Sequence, residues 1–242
     1  MKKIAARLCL LALLPLALSG CSTARMAVDP DLLSRSDQYE ISERPSAFSG
    51  DKLLFGPYSA TEIDRSTINS SGSGFRAGGV VLYSSKEVTQ SFSYRFNGNQ
   101  SWTSKCAVKS ASSTVKQGGS APSAATVAED IGLQCRFSRS ENPQGSANRN
   151  WKFEFRGQDL VSATGSFKVG SKTVRVVATN RFENSSFPYH KPTGYYFYVG
   201  EERVAGVDVI NNQGPIWLKK NLAAEEKDSI GLIMVALLLN QV

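Results

Sequence analysis

Ile230-Gly231-Leu232-Ile233-Met234-Val235-Ala236-Leu237-Leu238-Leu239 is a run of ten consecutive apolar or small residues near the end of a 242-residue chain. Leu, Met and Ala favour helix. As a helix, the fourteen residues from Ser229 to Val242 rise about 21 Å, too short for a hydrocarbon core of about 30 Å. Leu222–Lys227 reads as a polar turn, and Asp228 or Ser229 stands where a side chain caps the first N–H groups. A helix that is apolar on every side is normally buried on every side. The run therefore calls for a wall around it.

The rest of the chain supplies strands. Val88, Gln90, Phe92, Tyr94 and Phe96 alternate with Thr89, Ser91, Ser93 and Arg95 up to Asn97-Gly98. That period of two describes a half-buried antiparallel strand ending in a favoured hairpin turn, with Gln100–Lys109 returning beside it. Leu53–Phe55 before Gly56-Pro57, and Gly79–Tyr83, precede it. Trp151–Phe155, Leu160–Val169, Thr173–Phe182, Tyr195–Val199, Val204–Ile210 and Ile216–Leu218 follow at short, even spacing. Such a series suggests an all-β sandwich or barrel rather than an α/β fold. Ser110–Thr126, rich in Ser, Ala and Gly, and Ser138–Asn150 read as polar loops.

Eleven or twelve strands and one apolar helix are met best by a roughly 12-stranded antiparallel barrel with the helix on its axis, which also removes the sheet edges. A β-sandwich with the helix covering one open face, or a final apolar strand, are the alternatives. The segment Lys227–Asn240, with the preceding Tyr195–Leu218 meander and its Val199-Gly200-Glu201-Glu202 turn, resembles the end of tubby-like, LURP-one and phospholipid-scramblase-related domains. That resemblance implies a 12-stranded barrel around a hydrophobic C-terminal helix. Tubby proteins bind phosphoinositide headgroups through basic residues, but no residue-by-residue match to that site is found here.

The first residues carry an address. A basic start (Lys2, Lys3, Arg7), an apolar run from Leu8 to Leu18 and small residues before a cysteine form an export signal over residues 1–20. Leu18-Ser19-Gly20-Cys21 resembles the bacterial lipobox, which implies cleavage after Gly20 and acyl chains of the palmitate type on Cys21. Several such chains hold a protein to a bilayer where one binds marginally. In a bacterium with two membranes, Ser22 in place of Asp implies sorting to the outer membrane, facing the periplasm. Residues 21–47 then form a lipidated N-terminus and tether, with a first short strand around Tyr39 and Ile41, and residues 48–242 one β domain.

Loss of the signal removes three basic residues and no acid, lowering the net charge from +7 to +4. A mildly basic exported chain fits anionic lipid, a glycan or an envelope protein, and nucleic acid is not an expected partner. Of four cysteines, Cys9 leaves with the signal and Cys21 is acylated. Cys106 and Cys135 are left as a disulfide pair in an oxidising compartment. Both stand at inward-type positions, among Trp102 and Val108 on one strand and Ile131, Leu133 and Phe137 on the other. Without a Cys-x-x-Cys, and with a single histidine, neither a metal site nor a cofactor is expected.

Catalytic motifs are thin. His190, the one general base for a serine hydrolase, lies in Pro188-Tyr189-His190-Lys191-Pro192, and no Gly-x-Ser-x-Gly elbow accompanies it. Ser113-Thr114-Val115-Lys116 matches Ser-x-x-Lys by chance composition, and Gly72–Gly79 reads as a flexible connection rather than a phosphate loop. Phe187, Tyr189, His190 and Lys191 form the best candidate recognition surface, since aromatic rings beside cations suit headgroups, glycans or a protein partner. The sequence therefore points to a membrane-anchored, non-catalytic binding or scaffold module of the cell envelope, with an exported hydrolase as the competing reading.

Overall fold

The computed structural model describes residues 24–45, 50–77, 80–117, 123–139, 150–211 and 213–240. The export signal, Cys21, Gly78-Gly79 and the centres of the two expected polar loops lie outside them. A short helix α1 (Pro30–Arg35) is followed by β1 (Ser36–Ser42), β2 (Leu53–Phe55), β3 (Tyr58–Arg65), β4 (Asn69–Ala77), β5 (Val80–Asn97), β6 (Ser101–Gln117), β7 (Ser123–Arg139), β8 (Asn150–Gly157), β9 (Thr164–Val169), β10 (Lys172–Thr179), β11 (Gly194–Val199), β12 (Glu202–Asp208), β13 (Pro215–Lys219) and α2 (Ala224–Leu239).

All thirteen strands pair antiparallel in one sheet. The meander β5 to β13 runs on through β1, β2 and β3, and β3 pairs back to β5, closing a ring of twelve strands. β4 stands outside the ring. It takes the same edge of β5 as β3 does, but along Val80–Thr89 rather than Phe92–Asn97. The ring thus matches the expected barrel, and α2 runs inside it.

The side chains explain the closure. On β5, Phe92, Tyr94 and Phe96 are buried, as are Trp102, Cys106 and Val108 on β6 and Leu133, Cys135 and Phe137 on β7. Every residue from Asp228 to Leu239 is buried. Each apolar side chain so enclosed contributes about 1.5–3 kcal/mol. Gly231 lets the wall approach the helix, because a Cβ there would lie 2.9 Å from the Phe96 ring. The Tyr94 hydroxyl donates to the Leu232 carbonyl at 2.5 Å, which satisfies a polar group that a wholly apolar cavity would strand.

The helix ends are tied to the wall by polar side chains, from the helix itself at its start and from the segment after β1 at its finish. Helix α2 begins at Ala224, five residues before the expected start, so Ala224–Lys227 is a helical turn. Asp228 does not cap it. Glu226 accepts from the Ala223 N–H at 2.9 Å and from Lys172 Nζ at 2.6 Å. The Asp228 carboxylate instead reaches outward and accepts from the Asn99 and Gln100 N–H groups, both at 3.0 Å. Those residues belong to the three-residue turn Gly98-Asn99-Gln100, one residue longer than an Asn-Gly hairpin requires. Gly98 is needed there because a Cβ would overlap the Asp228 carboxylate. Burial raises the Asp228 carboxyl above its ordinary value, and the Asn99 and Gln100 bonds oppose that rise. At the far end Arg44 donates to the carbonyls of Leu238, at 2.9 Å, and Asn211, at 3.0 Å. A guanidinium there also suits the negative end of the helix dipole.

Three expectations change. Ser36–Ser42 is a full barrel strand, so the β domain begins before residue 48, and residues as early as Met26 are already packed on it. The described parts of Ser110–Thr126 are strand, since β6 and β7 pair from Ser110 to Gln117 and from Ser123 to Ile131. Small residues leave the backbone ladder intact, and the paired N–H and C=O groups hold strands together there without apolar alternation. Gly72 and Gly74 likewise sit in β4. The Cys106–Cys135 disulfide is formed between residues that face each other in register on β6 and β7. As expected, the two cysteines are paired, and the bond ties two neighbouring barrel strands.

Two outcomes follow. Val235→Asp places a charge inside the ring, a cost comparable with the whole stability of a domain, about 5–15 kcal/mol. The variant should lack a cooperative thermal transition by circular dichroism, and a normal melt would refute the enclosure. Replacing both Cys106 and Cys135 by Ser should lower stability by about 3–4 kcal/mol in denaturant titration, and non-reducing peptide mapping of the parent should recover the two residues joined.

Candidate functional site

Strands β5, β6 and β7 are 18, 17 and 17 residues long, longer than the ring uses. Their outer parts, with β4, leave the barrel as a four-stranded extension. The outer face of these strands carries a cavity of about 570 Å³, the saddle, lined among others by Ser66, Thr89, Lys109, Gly132, Gln134 and Arg156. The change from β3 to β4 takes place beside it, at Ser66. The Ser66 N–H donates to the Ser91 carbonyl at 2.8 Å, and the Ser66 hydroxyl accepts from the Ser91 N–H at 2.9 Å.

Two cross-strand rows make the floor. Thr89, Lys109, Gly132 and Arg156 face one another across β5 to β8, and Ser91, Ala107, Gln134 and Glu154 form the next row. Ala107 and Gly132 are small, so the longer neighbours stand above them as walls. Lys109 pairs with Glu87 at 3.1 Å, Arg156 with Glu154, and Gln134 donates to Glu154 at 3.2 Å. All these groups are solvent-exposed, so each pair contributes little to stability and exchanges readily for a ligand's hydroxyl or anionic groups. The saddle is lined by the cations Lys109 and Arg156, the carboxylate of Asp130 and the amides of Asn69, Gln90 and Gln134, with Glu87 and Glu154 paired to its two cations. Such a lining has the means to bind a polar group.

The loop singled out in the sequence lies elsewhere, between β10 and β11. Tyr189 makes tilted ring contacts with Phe182, with centroids 5.1 Å apart, and with His190, at 4.3 Å. Its N–H donates to the Asn180 carbonyl at 2.8 Å, and Asn180 Nδ2 donates to the Tyr189 carbonyl at 3.0 Å. A bridge from Arg181 to Pro188 closes the loop into a short hairpin. Phe187 projects from it, 82% exposed, and Tyr189 is 37% exposed. His190 and Lys191 are exposed as well. The four expected residues therefore share one loop, and His190 has no carboxylate partner among the described residues, the first requirement of a hydrolase base. Of the three tyrosines that follow, Tyr195 faces the core, edge-on to Phe155 at 5.5 Å. Tyr196 and Tyr198 face outward, where Arg203 lies over both rings, at 4.1 and 5.5 Å.

Those outward tyrosines belong to a feature that the strand reading missed. Residues 25–35 run as a strap over the outside of β11, β12 and β13. Met26 and Leu32 are buried with Tyr196 and Trp217 in a second, small apolar cluster. Met26 stands where a Cβ on Gly194 would clash, and Leu32 lies over Gly206. The Met26 N–H donates to buried Asp208 at 2.8 Å, Arg203 bonds Asp29 at 2.7 Å, and Tyr196 donates to the Ala27 carbonyl at 2.5 Å. Desolvation raises the Asp208 carboxyl, and N–H donors from Met26 and Ile210 act against it. The signal was present in β11 to β13. Gly194–Val199 and Pro215–Lys219 do not alternate, and a strand apolar on both faces is covered on both.

No family model, curated protein or solved structure matches the chain. Among the described residues no helix is long and apolar enough to cross a membrane, and no cluster of His, Cys, Asp and Glu would hold a metal ion.

The saddle floor is testable by filling it. A Cβ on Gly132 meets only the Lys109 carbonyl, at 4.0 Å. Gly132→Val should therefore leave stability within about 0.5 kcal/mol, as for a half-buried position with room for the side chain. A large loss in a thermal melt would mean that another part of the chain covers the saddle.

Proposed function

We propose that this chain is an exported bacterial lipoprotein, cleaved after Gly20, acylated on Cys21 and held at the outer membrane on its periplasmic side. Its barrel serves as a rigid, non-catalytic binding module of the cell envelope. The observation that carries this reading is Leu18-Ser19-Gly20-Cys21 directly after a basic start and a short apolar run. Two structural features support it. The Cys106–Cys135 disulfide is the bond expected outside the cytoplasm, and packing on the barrel begins at Met26, so a short arm separates the acylated residue from the folded domain.

The ring of twelve strands around a hydrophobic C-terminal helix supports kinship with the tubby-like group, whose members share that plan. Binding is assigned to the saddle beside Lys109 and Arg156. Its paired charges and small-residue floor suit a hydroxyl-rich or anionic group, as lipid headgroups and glycans present.

Cys21→Ala tests the anchor. In cells fed an alkyne fatty acid, the parent should take up the label and sediment with membranes. The variant should take up none, retain its signal segment or leave the membrane fraction. Equal labelling and fractionation of the two would remove the proposal.

A further inference from the structure

We infer that the loop between β10 and β11 is a second membrane contact, in which Phe187 and Tyr189 enter the headgroup region of the bilayer that Cys21 anchors. The inference rests on the acylation proposed above. It adds a fixed orientation of the barrel on the membrane.

Chain length limits how far the barrel can stand from the acylated residue. Arg25 is four residues from Cys21, and an extended chain covers at most about 3.5 Å per residue. Arg25 is therefore held within about 14 Å of the acylated residue. Arg25 is also fixed to the barrel. The Glu183 N–H donates to the Arg25 carbonyl at 2.9 Å, the Ala27 N–H donates to the Arg181 carbonyl at 2.9 Å, and Met26 pairs antiparallel with Phe182. With so short an arm, the bilayer meets whatever part of the surface adjoins Arg25.

The part adjoining it is the aromatic loop. In the antiparallel register Met26 faces Phe182 and Arg25 faces Glu183. The chain running back toward Cys21 therefore leaves the pair at the end from which the 183–188 turn rises. That turn is built: the Phe187 N–H donates to the Ser185 hydroxyl at 3.2 Å, and the hydroxyl donates to the Phe187 carbonyl at 3.4 Å. Phe187 is the most exposed large apolar side chain among the described residues, at 82%. A phenylalanine held out by its own turn loses apolar contact in water and regains it at a lipid interface. Tyr189 has the amphipathic ring that interfaces favour. Arg25, Arg181 and Lys191 are exposed around the loop; of the carboxylates nearby, Glu183 is exposed and Asp208, which interacts with Arg25, is buried, a surface balance that suits anionic headgroups.

The test uses mature protein, residues 21–242, with its disulfide intact, so that Cys21 is the one free thiol. It is coupled through Cys21 to a maleimide-bearing phosphatidylethanolamine in phosphatidylethanolamine/phosphatidylglycerol vesicles. Phe187→Trp and Lys105→Trp are compared, with the parent emission subtracted. Lys105 is an exposed outward residue of β6, half-way round the ring from the strap. With brominated lipids, the emission added at position 187 should be quenched by at least about twofold and shifted to shorter wavelength, as expected of a ring at the interface. That added at position 105 should be unchanged. Equal quenching at both positions, or none at 187, would overturn the inference. Because the tether is chemical, either result is independent of acylation in the cell.

Discussion

A helix without a polar face cannot share its surface with water, and α2 has none along Ile230–Leu239. The constraint falls on the sheet. An open sheet covers one side of such a helix, a sandwich covers one side and leaves the other to loops, and a closed ring covers all of it. Closure is reached when β3 returns to β5, and it is the inward aromatic rings of β5, β6, β7 and β8 that fill the space between wall and helix. Helix and wall each lack a stable place without the other.

Enclosure alone would strand the polar groups at the helix ends. The chain resolves this with side chains of opposite sense. Near the N-terminal end the Asp228 carboxylate leaves the helix and holds the Gly98–Gln100 turn, so that the hairpin joining β5 and β6 becomes a lid on the barrel. At the C-terminal end Arg44, from the segment after β1, takes the Leu238 carbonyl. Burial opposes ionisation of Asp228, and its folded value lies above the unfolded one. Its net effect therefore favours the folded state at acid pH and diminishes as pH rises through the folded value. The bonds to Asn99 and Gln100 reduce that penalty, and a specified end to the barrel is what the buried carboxylate provides.

The apolar run, the alternating strands and the cysteine parity were legible because each is a local pattern with one physical reading. Val88 to Phe96 alternates, and its apolar members from Phe92 onward face the core. Cys106 and Cys135 occupy inward positions and meet in register. What escaped was non-local. Ser110–Thr126 lacks apolar alternation, yet its described parts pair in register, a backbone ladder that side-chain pattern does not reveal. Asp228 reads as a cap from its place beside the apolar run, yet its partners are 128 and 129 residues away. The strap over β11 to β13 was hidden because its apolar residues, Met26–Val28 and Leu32-Leu33, follow no sustained period, although the missing alternation in Gly194–Val199 and Pro215–Lys219 marks a surface covered from outside. Of the candidate sites, the aromatic loop was legible from clustering. The saddle was not, since Lys109, Gly132, Gln134 and Arg156 come from three strands and share no motif.

The strap connects the two ends of the account. It joins the proposed lipid anchor to the outer wall of the ring, and the wall in turn depends on the helix. The most direct measurement of that dependence is native-state hydrogen exchange of the amides from Ile233 to Leu239, whose bonds lie wholly inside the ring. They should exchange only through global unfolding, with the same opening free energy as the β5–β6 and β12–β13 ladders. Exchange of the helix amides at a distinctly lower free energy than the ladders would show that the helix leaves while the ring persists, and would contradict the account.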